Sequence, residues 1–373
     1  MRIGIDAREL SGRPTGVGRY LACLLDTWSG LPEARAHTFV LFEPSAGPAP
    51  HRVPGAFAAG QLVRTTVAGG SGTWWEQVRF PASLAREHLD VLFAPGYTAP
   101  LVTTLPTALT VHDLSFFANP GWFTRREGAR RRLLTRLSAR KARTVLTVSS
   151  FSRDEIVQRL GVPAERVRVI PHGGMRPRGP DPLAGGSARE SLVLFVGSIF
   201  NRRRVPDLIH AFALVARTNP TLRLEIVGDN RTHPRQDLRA IAVEAGVGGQ
   251  VAVHEFVAEE TLEGLYSRAA VFAFLSEYEG FGLTPLEALA RGVPPLVLDT
   301  CVAREVYGDA AVYVPRGDLS ATADAMRALV DNPSMRQDVL ARAPAVLGRY
   351  SWERAGRDTL LAIENAALQA GSP

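Results

Sequence analysis

Two glutamates eight residues apart frame the segment of the chain that is best suited to bind a ligand, Glu279–Glu287. The segment follows an apolar run and contains Gly280 and Gly282, whose small size lets backbone approach a ligand closely. Thr284 is predicted to cap a helix whose exposed N–H groups would attract an anion, and the two carboxylates can accept hydrogen bonds from a ligand. In the alternative interpretation, Glu287 completes a capping box with Thr284, and Glu279 is an ordinary surface carboxylate.

A run of three arginines, Arg202, Arg203 and Arg204, follows the apolar run Phe195–Val196 and the turn Gly197-Ser198. Fixed cations at this position would attract a negatively charged ligand, and a guanidinium can bind one with two parallel hydrogen bonds. A solvated basic turn is the alternative. The sequence does not decide which of the arginines makes the main contact.

The first half of the chain carries a second pair of candidate features. Gly16 and Gly18 follow the first predicted strand and open a helical pattern, which alone is a weak sign of phosphate binding. His112 stands at the end of another predicted strand. A single histidine is more often structural, but strand ends are where ligands bind in α/β sheets, which favours a functional role.

Composition excludes several other functions. The 373 residues carry a net charge of +6 with a pI near 9.8, which favours an anionic partner. Lys141 is the only lysine and lies among arginines, so neither a P-loop nor a pyridoxal Schiff base is expected. Cys23 and Cys301 are interpreted as free thiols of a reducing compartment. With no recognisable metal-binding motif, we expect chemistry that needs neither metal nor cofactor.

Short apolar runs alternate with helical patterns along the whole chain. The predicted strands are Ile3–Asp6, Phe39–Phe42, Val91–Ala94, Ala108–Val111, Val145–Val148, Val167–Ile170, Leu192–Val196, Leu224–Val227, Val251–Val253, Val271–Leu275, Pro295–Leu298 and Val312–Val314. The predicted helices are Gly18–Leu25, Arg125–Ala142, Val205–Arg217, Pro234–Ala245, Thr261–Ala269, Pro285–Ala290 and Ala321–Val330. This alternation predicts an α/β protein with two doubly wound parallel sheets. A Gly- and Pro-rich linker over 172–190 would separate a domain of residues 1–171 from one of 191–351.

These motifs together resemble the family-four retaining glycosyltransferases, also called glycosyl transferases group 1, over most of the chain. Glu279 and Glu287 match the family's E-x7-E pair, and the arginine run matches its basic pair, with Arg203 in place of lysine. The resemblance implies the GT-B fold, two Rossmann-like domains facing across a cleft. It also implies a final helix, about 352–370, that crosses back onto the first domain.

The resemblance further implies a role for each candidate residue. Catalytic roles fall to His112 and Glu279 at the donor sugar and to Arg203 at the diphosphate. Glu287 would hold the ribose hydroxyls. The remaining donor-binding residues implied are Gly16, Gly18, Gly197, Ser198, Arg202, Phe281, Gly282 and Leu283. The family's Gly is replaced by Glu255 beside the expected base pocket, which leaves base recognition open.

The expected activity is therefore transfer of a hexose, with retained configuration and no metal, from a nucleoside-diphosphate sugar to an acceptor hydroxyl. The segments Trp74–Gln77 and His112–Ser115 resemble mannosyltransferases of bacterial surface polysaccharides, so GDP-mannose is slightly favoured. The acceptor is a glycan, a lipid-linked glycan or a small molecule. A nucleotide-sugar 2-epimerase, a non-catalytic nucleotide-binding partner and a nucleic-acid binder are the alternatives; for the last there is no recognition motif.

The helix predicted over residues 125–143 has one acid, Glu127, and many arginines, with Leu133, Leu134 and Leu137 between them. Such a helix either lies on an anionic membrane or is simply a solvated basic face. The chain begins with an apolar strand rather than a signal peptide and has no long apolar run. We expect a cytoplasmic protein that is peripheral at the inner face of the membrane if the first interpretation holds.

Overall fold

The computed structural model describes residues 1–12, 16–46, 55–174 and 189–368. The chain folds into two compact units, and each is described by itself. Unit 1 comprises Met1–Phe117, Arg126–Gly173 and Tyr350–Pro373, and unit 2 comprises Ala118–Arg125 and Gly174–Arg349. Most of the predicted linker, 172–190, lies outside the described residues, as do positions 369–370 of the predicted last helix.

The strands alternate with helices in both units. The strands are β1 Arg2–Asp6, β2 Thr38–Pro44, β3 Leu62–Val67, β4 Val91–Ala94, β5 Thr107–Thr110, β6 Thr144–Thr147, β7 Val167–Val169, β8 Leu192–Val196, β9 Arg223–Val227, β10 Val251–His254, β11 Val271–Phe274, β12 Pro295–Leu298 and β13 Val312–Val314. The α-helices are α1 Gly16–Gly30, α2 Phe80–Leu84, α3 Ser115–Ala118, α4 Arg125–Lys141, α5 Ser150–Leu160, α6 Val205–Ala216, α7 Leu238–Glu244, α8 Glu259–Arg268, α9 Leu283–Leu289, α10 Cys301–Tyr307, α11 Leu319–Asp331, α12 Pro333–Leu340, α13 Ala343–Leu347 and α14 Trp352–Leu368. Short helical turns add Arg8–Leu10, Glu33–Ala36, Trp75–Arg79, Pro120–Trp122, Ala164–Arg166 and Asn201–Arg203.

Unit 1 is built on a seven-stranded sheet in the order β3-β2-β1-β4-β5-β6-β7, and its neighbouring strands are paired in parallel. The strand order reverses between β1 and β4. In such doubly wound sheets, a crevice for ligands forms beyond the carboxyl ends of the strands at the reversal point. The residues that follow β1 and β4 are therefore placed at the expected ligand-binding edge.

The core of unit 1 contains the C-terminal helix. Trp28 of α1 stacks on Phe39 of β2 with ring centroids 5.1 Å apart, and its indole N–H donates to the carbonyl of Gly356 in α14 at 2.8 Å. Ala355, Leu360 and Ile363 of α14 lie in the same buried cluster as Leu21, Leu24 and Leu25 of α1. Because this apolar area is removed from water, it stabilises the packing of α14 against α1.

Unit 2 repeats the topology in a six-stranded parallel sheet of order β10-β9-β8-β11-β12-β13. The reversal point lies between β8 and β11. The central strands β11 and β12 are buried along their whole length and β8 along all but its last residue, as parallel strands covered by helices on both faces must be. The prediction of two parallel, doubly wound α/β domains is confirmed.

The structure differs from the predicted elements in two informative places. Strand β3, Leu62–Val67, was missed because it is an edge strand with polar Arg64, Thr65 and Thr66 and only one fully buried residue. The helix predicted over Pro234–Ala245 begins only at Leu238, because the Asp237 carboxylate accepts the N–H groups of Arg239 and Ala240 and caps it there.

Candidate active site

The reversal point of the unit 2 sheet brings together the arginine run and the first glutamate of the E-x7-E pair. Arg202 and Arg203 lie in the turn after β8, and Glu279 lies in the loop after β11. These strands are neighbours in the sheet, so their carboxyl ends meet at one edge. Positions 76 residues apart in sequence thus form a single cluster.

Arg203 is nearly enclosed and makes direct hydrogen bonds within the cluster. Its Nε donates to Glu279 Oε1 at 3.1 Å, and its Nη1 donates to the Ser198 carbonyl at 2.8 Å. The guanidinium also lies 4.9 Å from the ring centroid of Phe274. Burial lowers the pKa of Arg203, and the Glu279 carboxylate opposes that shift. The group stays cationic because the ordinary pKa of arginine lies far above neutrality.

Among the described residues, only one carboxylate oxygen of Glu279, Oε1, has hydrogen-bond contacts with its neighbours. Its Oε1 accepts Arg203 Nε and the Ser276 hydroxyl, at 2.9 Å, and Arg202 Nε lies 3.7 Å from the same atom. Within the described part of the chain, Oε2 accepts no hydrogen bond. The cluster of two guanidinium groups and one carboxylate therefore carries a net positive charge.

Arg204 turns away from this cluster. Its backbone is left-handed, with φ of 47°, and its Nε donates to the Asp207 carboxylate at 2.7 Å. Its Nη1 donates to Glu277 at 3.3 Å, and Arg316 contacts the same carboxylate at 2.6 Å. The sequence did not decide which arginine of the run makes the main contact. In the structure, Arg202 and Arg203 are the two that lie beside Glu279.

Close backbone packing shapes the floor of the cluster. Gly197 has a φ of 136°, and a Cβ atom there would lie 2.3 Å from Arg203 Nη1. A Cβ on Gly228, at the end of β9, would lie 2.0 Å from the Gly197 carbonyl oxygen. Because glycine alone fits both positions, the Gly197-Ser198 backbone can approach Arg203 closely.

The helix after Glu279 begins two residues earlier than predicted, at Leu283 rather than at Pro285. Gly282, with φ of 88°, precedes α9, which starts at Leu283, so the prediction that Thr284 caps the helix is wrong. The Tyr307 hydroxyl donates to the Gly282 carbonyl at 2.8 Å and holds the turn. Thr284 Oγ1 is left buried, with no hydrogen-bond partner among the described residues. Phe281, just before the turn, is buried.

Glu287 lies on α9, one turn after Leu283, and is buried. The capping-box interpretation of Glu287 is also wrong, because the helix has no side-chain cap and Glu287 is well inside it. Its negative charge raises the pKa of Arg291, although burial, the largest effect on that group, lowers it. Arg291 itself pairs with Glu263.

His112 follows β5 at the carboxyl edge of the unit 1 sheet. Its Nε2 lies 2.8 Å from the Pro95 carbonyl oxygen, and the Tyr20 ring meets it edge-on at 4.9 Å. Burial lowers the pKa of the imidazole, and the hydrogen bond to Pro95 opposes the shift. The ring is therefore neutral at pH 7, and since Nε2 must carry the proton that it donates, Nδ1 can accept a hydrogen bond.

The predicted glycine loop of unit 1 lies beside the same edge. Helix α1 begins at Gly16, and Gly18 is buried inside it; Thr15 lies outside the described residues. A Cβ on Gly96 would lie 2.9 Å from the Val17 side chain, and Gly96 directly follows the Pro95 that accepts the His112 hydrogen bond. The first turns of α1 and His112 therefore lie at the same edge of the unit 1 sheet, where Tyr20 of α1 contacts the imidazole.

A buried ionic cluster at the reversal point of unit 1 was missed by the sequence analysis. Arg8 pairs with Asp6 at 3.0 Å and with Glu76, and Glu76 also accepts the Thr98 hydroxyl. All three charged side chains are nearly inaccessible. Asp6 ends β1, Arg8 follows it, and Thr98 follows β4, so the positions at strand ends were the available signal.

Among the described residues, no group of three or more His, Cys, Asp or Glu side chains is arranged to hold a metal ion. None of the helices in that part of the chain has the length and hydropathy of a membrane-spanning segment.

Known proteins match both units. Residues 14–173 match the model of Glycosyltransferase Family 4, and residues 185–345 match that of Glycosyl transferases group 1. O-antigen chain mannosyltransferase B of Escherichia coli is 28% identical over 75% of this chain and 75% of its own length. O-antigen chain mannosyltransferase RfbU of Salmonella typhimurium is 26% identical over 69% of this chain and 68% of its own. The crystal structure of WaaG, a glycosyltransferase involved in lipopolysaccharide biosynthesis, has a TM-score of 0.73 and 16% identity and covers 100% of both chains.

The fold and these matches define a glycosyltransferase of the GT-B type. The chain belongs to the glycosyl transferases group 1, with a Family 4 domain in its first half, and it is mannosyltransferase-like. The predicted GT-B fold and the family resemblance are confirmed.

Proposed function

We propose that the protein transfers a hexose, preferably mannose from GDP-mannose, to a hydroxyl of a glycan, lipid-linked or small-molecule acceptor. The transfer retains the anomeric configuration and needs neither metal nor cofactor. Its likeness to two O-antigen chain mannosyltransferases supports the choice of sugar and of a polysaccharide-type acceptor.

The observation that carries the proposal is the arrangement of Arg203 and Glu279 at the reversal point of the unit 2 sheet. A diphosphate brings negative charge, and a sugar brings hydroxyl donors. Arg203 and Arg202 supply fixed cations for the former, and Glu279 Oε2 supplies an acceptor for the latter. A cationic pair next to a half-used carboxylate suits a ligand that combines both groups.

The other residues take supporting roles in this proposal. The backbone of Gly197-Ser198 and of Phe281–Leu283 faces the phosphates and the sugar, with the N–H groups at the start of α9 as anion donors. Glu287 accepts the ribose hydroxyls. In unit 1, the neutral His112 ring accepts a sugar hydroxyl at Nδ1, and the loop of Gly16 and Gly18 contacts the phosphate.

The chemical step balances without an additional cofactor. The bond between the anomeric carbon and the diphosphate oxygen breaks, and a bond from that carbon to the acceptor oxygen forms on the same face of the ring. The leaving diphosphate takes the acceptor proton. Charge accumulates on the diphosphate as the bond breaks, so preorganised guanidinium groups lower the barrier. Positioning of the acceptor supplies the rest.

A panel of nucleotide sugars tests the donor. Thermal unfolding with GDP-mannose and with UDP-, ADP- and TDP-sugars should show the largest rise in melting temperature for GDP-mannose, because a ligand that binds only the folded state stabilises it. A larger rise in melting temperature with another nucleotide sugar would make that sugar the proposed donor and leave the proposed transferase activity unchanged. No rise with any donor would contradict the proposal.

Product analysis tests the reaction. With the selected donor and a polysaccharide-type acceptor, NMR should find the anomeric configuration of the donor in the product, in buffer with EDTA as well as without. Glu279→Gln should lower turnover by about 100-fold or more while the donor still raises the melting temperature. A product with inverted configuration would refute the retaining mechanism, and turnover that EDTA abolishes would refute the independence from a metal.

The same assays separate the alternatives. A 2-epimerase would convert the donor without any acceptor. A non-catalytic partner would bind nucleotide and consume no donor with any acceptor. We further propose that the protein acts in the cytoplasm, peripheral to the inner face of the membrane, through the basic helix of residues 125–143.

A further inference from the structure

Five large apolar side chains of unit 1 are exposed on helix α4 and on the segments beside it, while Leu361 and Leu368 are exposed on α14. Trp74 is 69% exposed, Val102 is 75% exposed and Leu133 is 59% exposed, and Val78 and Leu137 are exposed as well. They come from three separate segments of the chain. Single exposed hydrophobic residues are ordinary, whereas several on one surface mark a site of interaction.

Hydrogen bonds show that the three segments are neighbours. Arg130 of α4 donates to the Thr73 hydroxyl at 2.5 Å, next to Trp74. Lys141, at the other end of α4, donates to the Thr103 carbonyl at 2.9 Å, next to Val102. The Gln77 side chain joins the remaining two segments, because it accepts the Leu101 N–H at 3.0 Å. The exposed apolar residues therefore belong to one continuous surface, called here the Trp74–Leu133 surface.

Helix α4 has a clear division of faces. Gly128, Thr135, Ser138 and Ala139 are buried against unit 1. The outward positions include Arg126, Arg130, Leu133, Leu137 and Arg140, spaced three or four residues apart. Two leucines thus face solvent between arginines, where a purely solvated basic helix would have no reason to expose them.

Charge complements the apolar residues on this surface. Besides the arginines of α4, Arg79 lies close to Trp74, where both line a cavity of about 310 Å³ together with backbone of Gly69 and Gly70. Indole rings favour the boundary between acyl chains and headgroups, and guanidinium groups attract anionic headgroups. An exposed tryptophan and leucines ringed by arginines match that boundary.

We propose that the Trp74–Leu133 surface docks unit 1 onto an anionic lipid bilayer, with Trp74, Val102, Leu133 and Leu137 entering the interface. The docking element is thus three segments with an aromatic anchor rather than the basic helix of 125–143 alone. Trp74 is close in sequence to Glu76, at the carboxyl edge of the sheet where Arg8 and Thr98 lie. Docking would therefore hold that edge near the membrane, where a lipid-linked acceptor is found; only this last consequence rests on the proposed function.

Vesicle co-sedimentation tests the proposal with the full chain. At low salt, the protein should bind vesicles of phosphatidylcholine with about one third phosphatidylglycerol at least tenfold more strongly than vesicles of phosphatidylcholine alone. The combined variant Trp74→Ser, Leu133→Asn, Leu137→Asn should lose at least tenfold in binding. A matched control, Phe256→Ser with Leu361→Asn, changes an exposed aromatic residue and an exposed helical leucine elsewhere and should bind like wild type.

Charge and insertion are tested separately. Arg126→Gln with Arg130→Gln should weaken binding several-fold, whereas Arg217→Gln with Arg235→Gln in unit 2 should not. Vesicles with brominated acyl chains should quench tryptophan fluorescence in the wild type, and Trp74→Phe should remove most of that quenching. Thermal unfolding shows that each variant is folded, and the rise in melting temperature with nucleotide sugar reports donor binding independently.

Three outcomes overturn the proposal. They are equal binding to neutral and anionic vesicles, no binding to either, and binding that is unchanged by the Trp74, Leu133 and Leu137 substitutions. Binding to an RNA oligomer or a second protein in place of vesicles falls under the second outcome. Loss of vesicle binding with an intact nucleotide response would leave the proposed transferase activity standing.

Discussion

Arg203 Nε lies 3.1 Å from Glu279 Oε1, and this ion pair joins the turn after β8 to the loop after β11. The pair is nearly enclosed, with each side chain about one eighth exposed. A buried cation held by a single carboxylate oxygen is positioned in advance of ligand binding. The neighbouring Arg204 provides an internal comparison, because it has the same side chain but pairs with Asp207 and Glu277 instead.

Arg203→Gln should therefore weaken donor binding, whereas Arg204→Gln should not. Loss of a charge-assisted contact to the diphosphate costs about 2–3 kcal/mol, or roughly 30- to 150-fold in affinity. Titration calorimetry with the selected nucleotide sugar measures the difference. Arg204→Gln should lower the melting temperature through its lost ion pairs yet keep the affinity. If both variants lose the same affinity, the assignment of the diphosphate contact to Arg203 rather than Arg204 is contradicted.

Much of the fold is predictable from the sequence because buried parallel strands form short continuous apolar runs. Val91–Ala94, Leu192–Val196 and Pro295–Leu298 have the predicted bounds. Such strands are covered on both faces, so burial alone specifies them. Edge strand β3 has polar residues on its open face, and its sequence looks like a loop.

The residues of the candidate site were predictable by type and position, but their pairing was not. The side chains of Arg203 and Arg204 point to different partners because the backbone of Arg204 is left-handed. Glycine or asparagine usually indicates that conformation in a sequence, and an arginine does not. The cap of α9 was mispredicted for a related reason. The turn at Gly282 is held by Tyr307, a contact between residues 25 positions apart that no local pattern encodes.

Gly282→Ala should disrupt the donor loop, and Gly246→Ala is its matched control. Both glycines have left-handed φ angles, 88° and 78°, so alanine adds strain of about 1–2 kcal/mol at either position. At Gly282, the new Cβ would also lie 2.0 Å from the Tyr307 hydroxyl, whereas Gly246 faces open space. Denaturant unfolding should show a larger loss for Gly282→Ala, and calorimetry should show weakened donor binding for that variant only. Similar effects of the two substitutions would mean that the Tyr307 contact does not hold the loop.

The His172 imidazole should make the folded state sensitive to mild acid. Burial and the neighbouring His112 hold the pKa of His172 well below 6.5. The unfolded chain therefore binds more protons below that pH, so stability is present above about pH 6.5 and is lost as the pH falls. The loss from this residue is up to about 2 kcal/mol at pH 5. Unfolding free energies from denaturant titrations at pH 7 and pH 5 should differ less for His172→Gln than for wild type. For the control His210→Gln, at an exposed position, the change in unfolding free energy between pH 7 and pH 5 should equal that of wild type. If this change is as large in His172→Gln as in wild type, the expectation is refuted.

Asp6 should act in the opposite direction, because it is an acid whose pKa is raised. Burial raises the pKa of the Asp6 carboxyl to about 6 from 3.8, and the Arg8 guanidinium only partly offsets this. Between these values the folded state binds more protons than the unfolded state, so the contribution of Asp6 to stability falls as the pH rises from about 4 to about 6. Replacing it by asparagine keeps an acceptor for the Arg8 N–H and removes the titration, so the stability of Asp6→Asn relative to wild type should rise by up to about 3 kcal/mol over that interval. Denaturant unfolding at several pH values measures the difference, with exposed Asp90→Asn as the control. A difference that stays constant with pH would show that Asp6 is ionised throughout, held by Arg8 more strongly than burial opposes it.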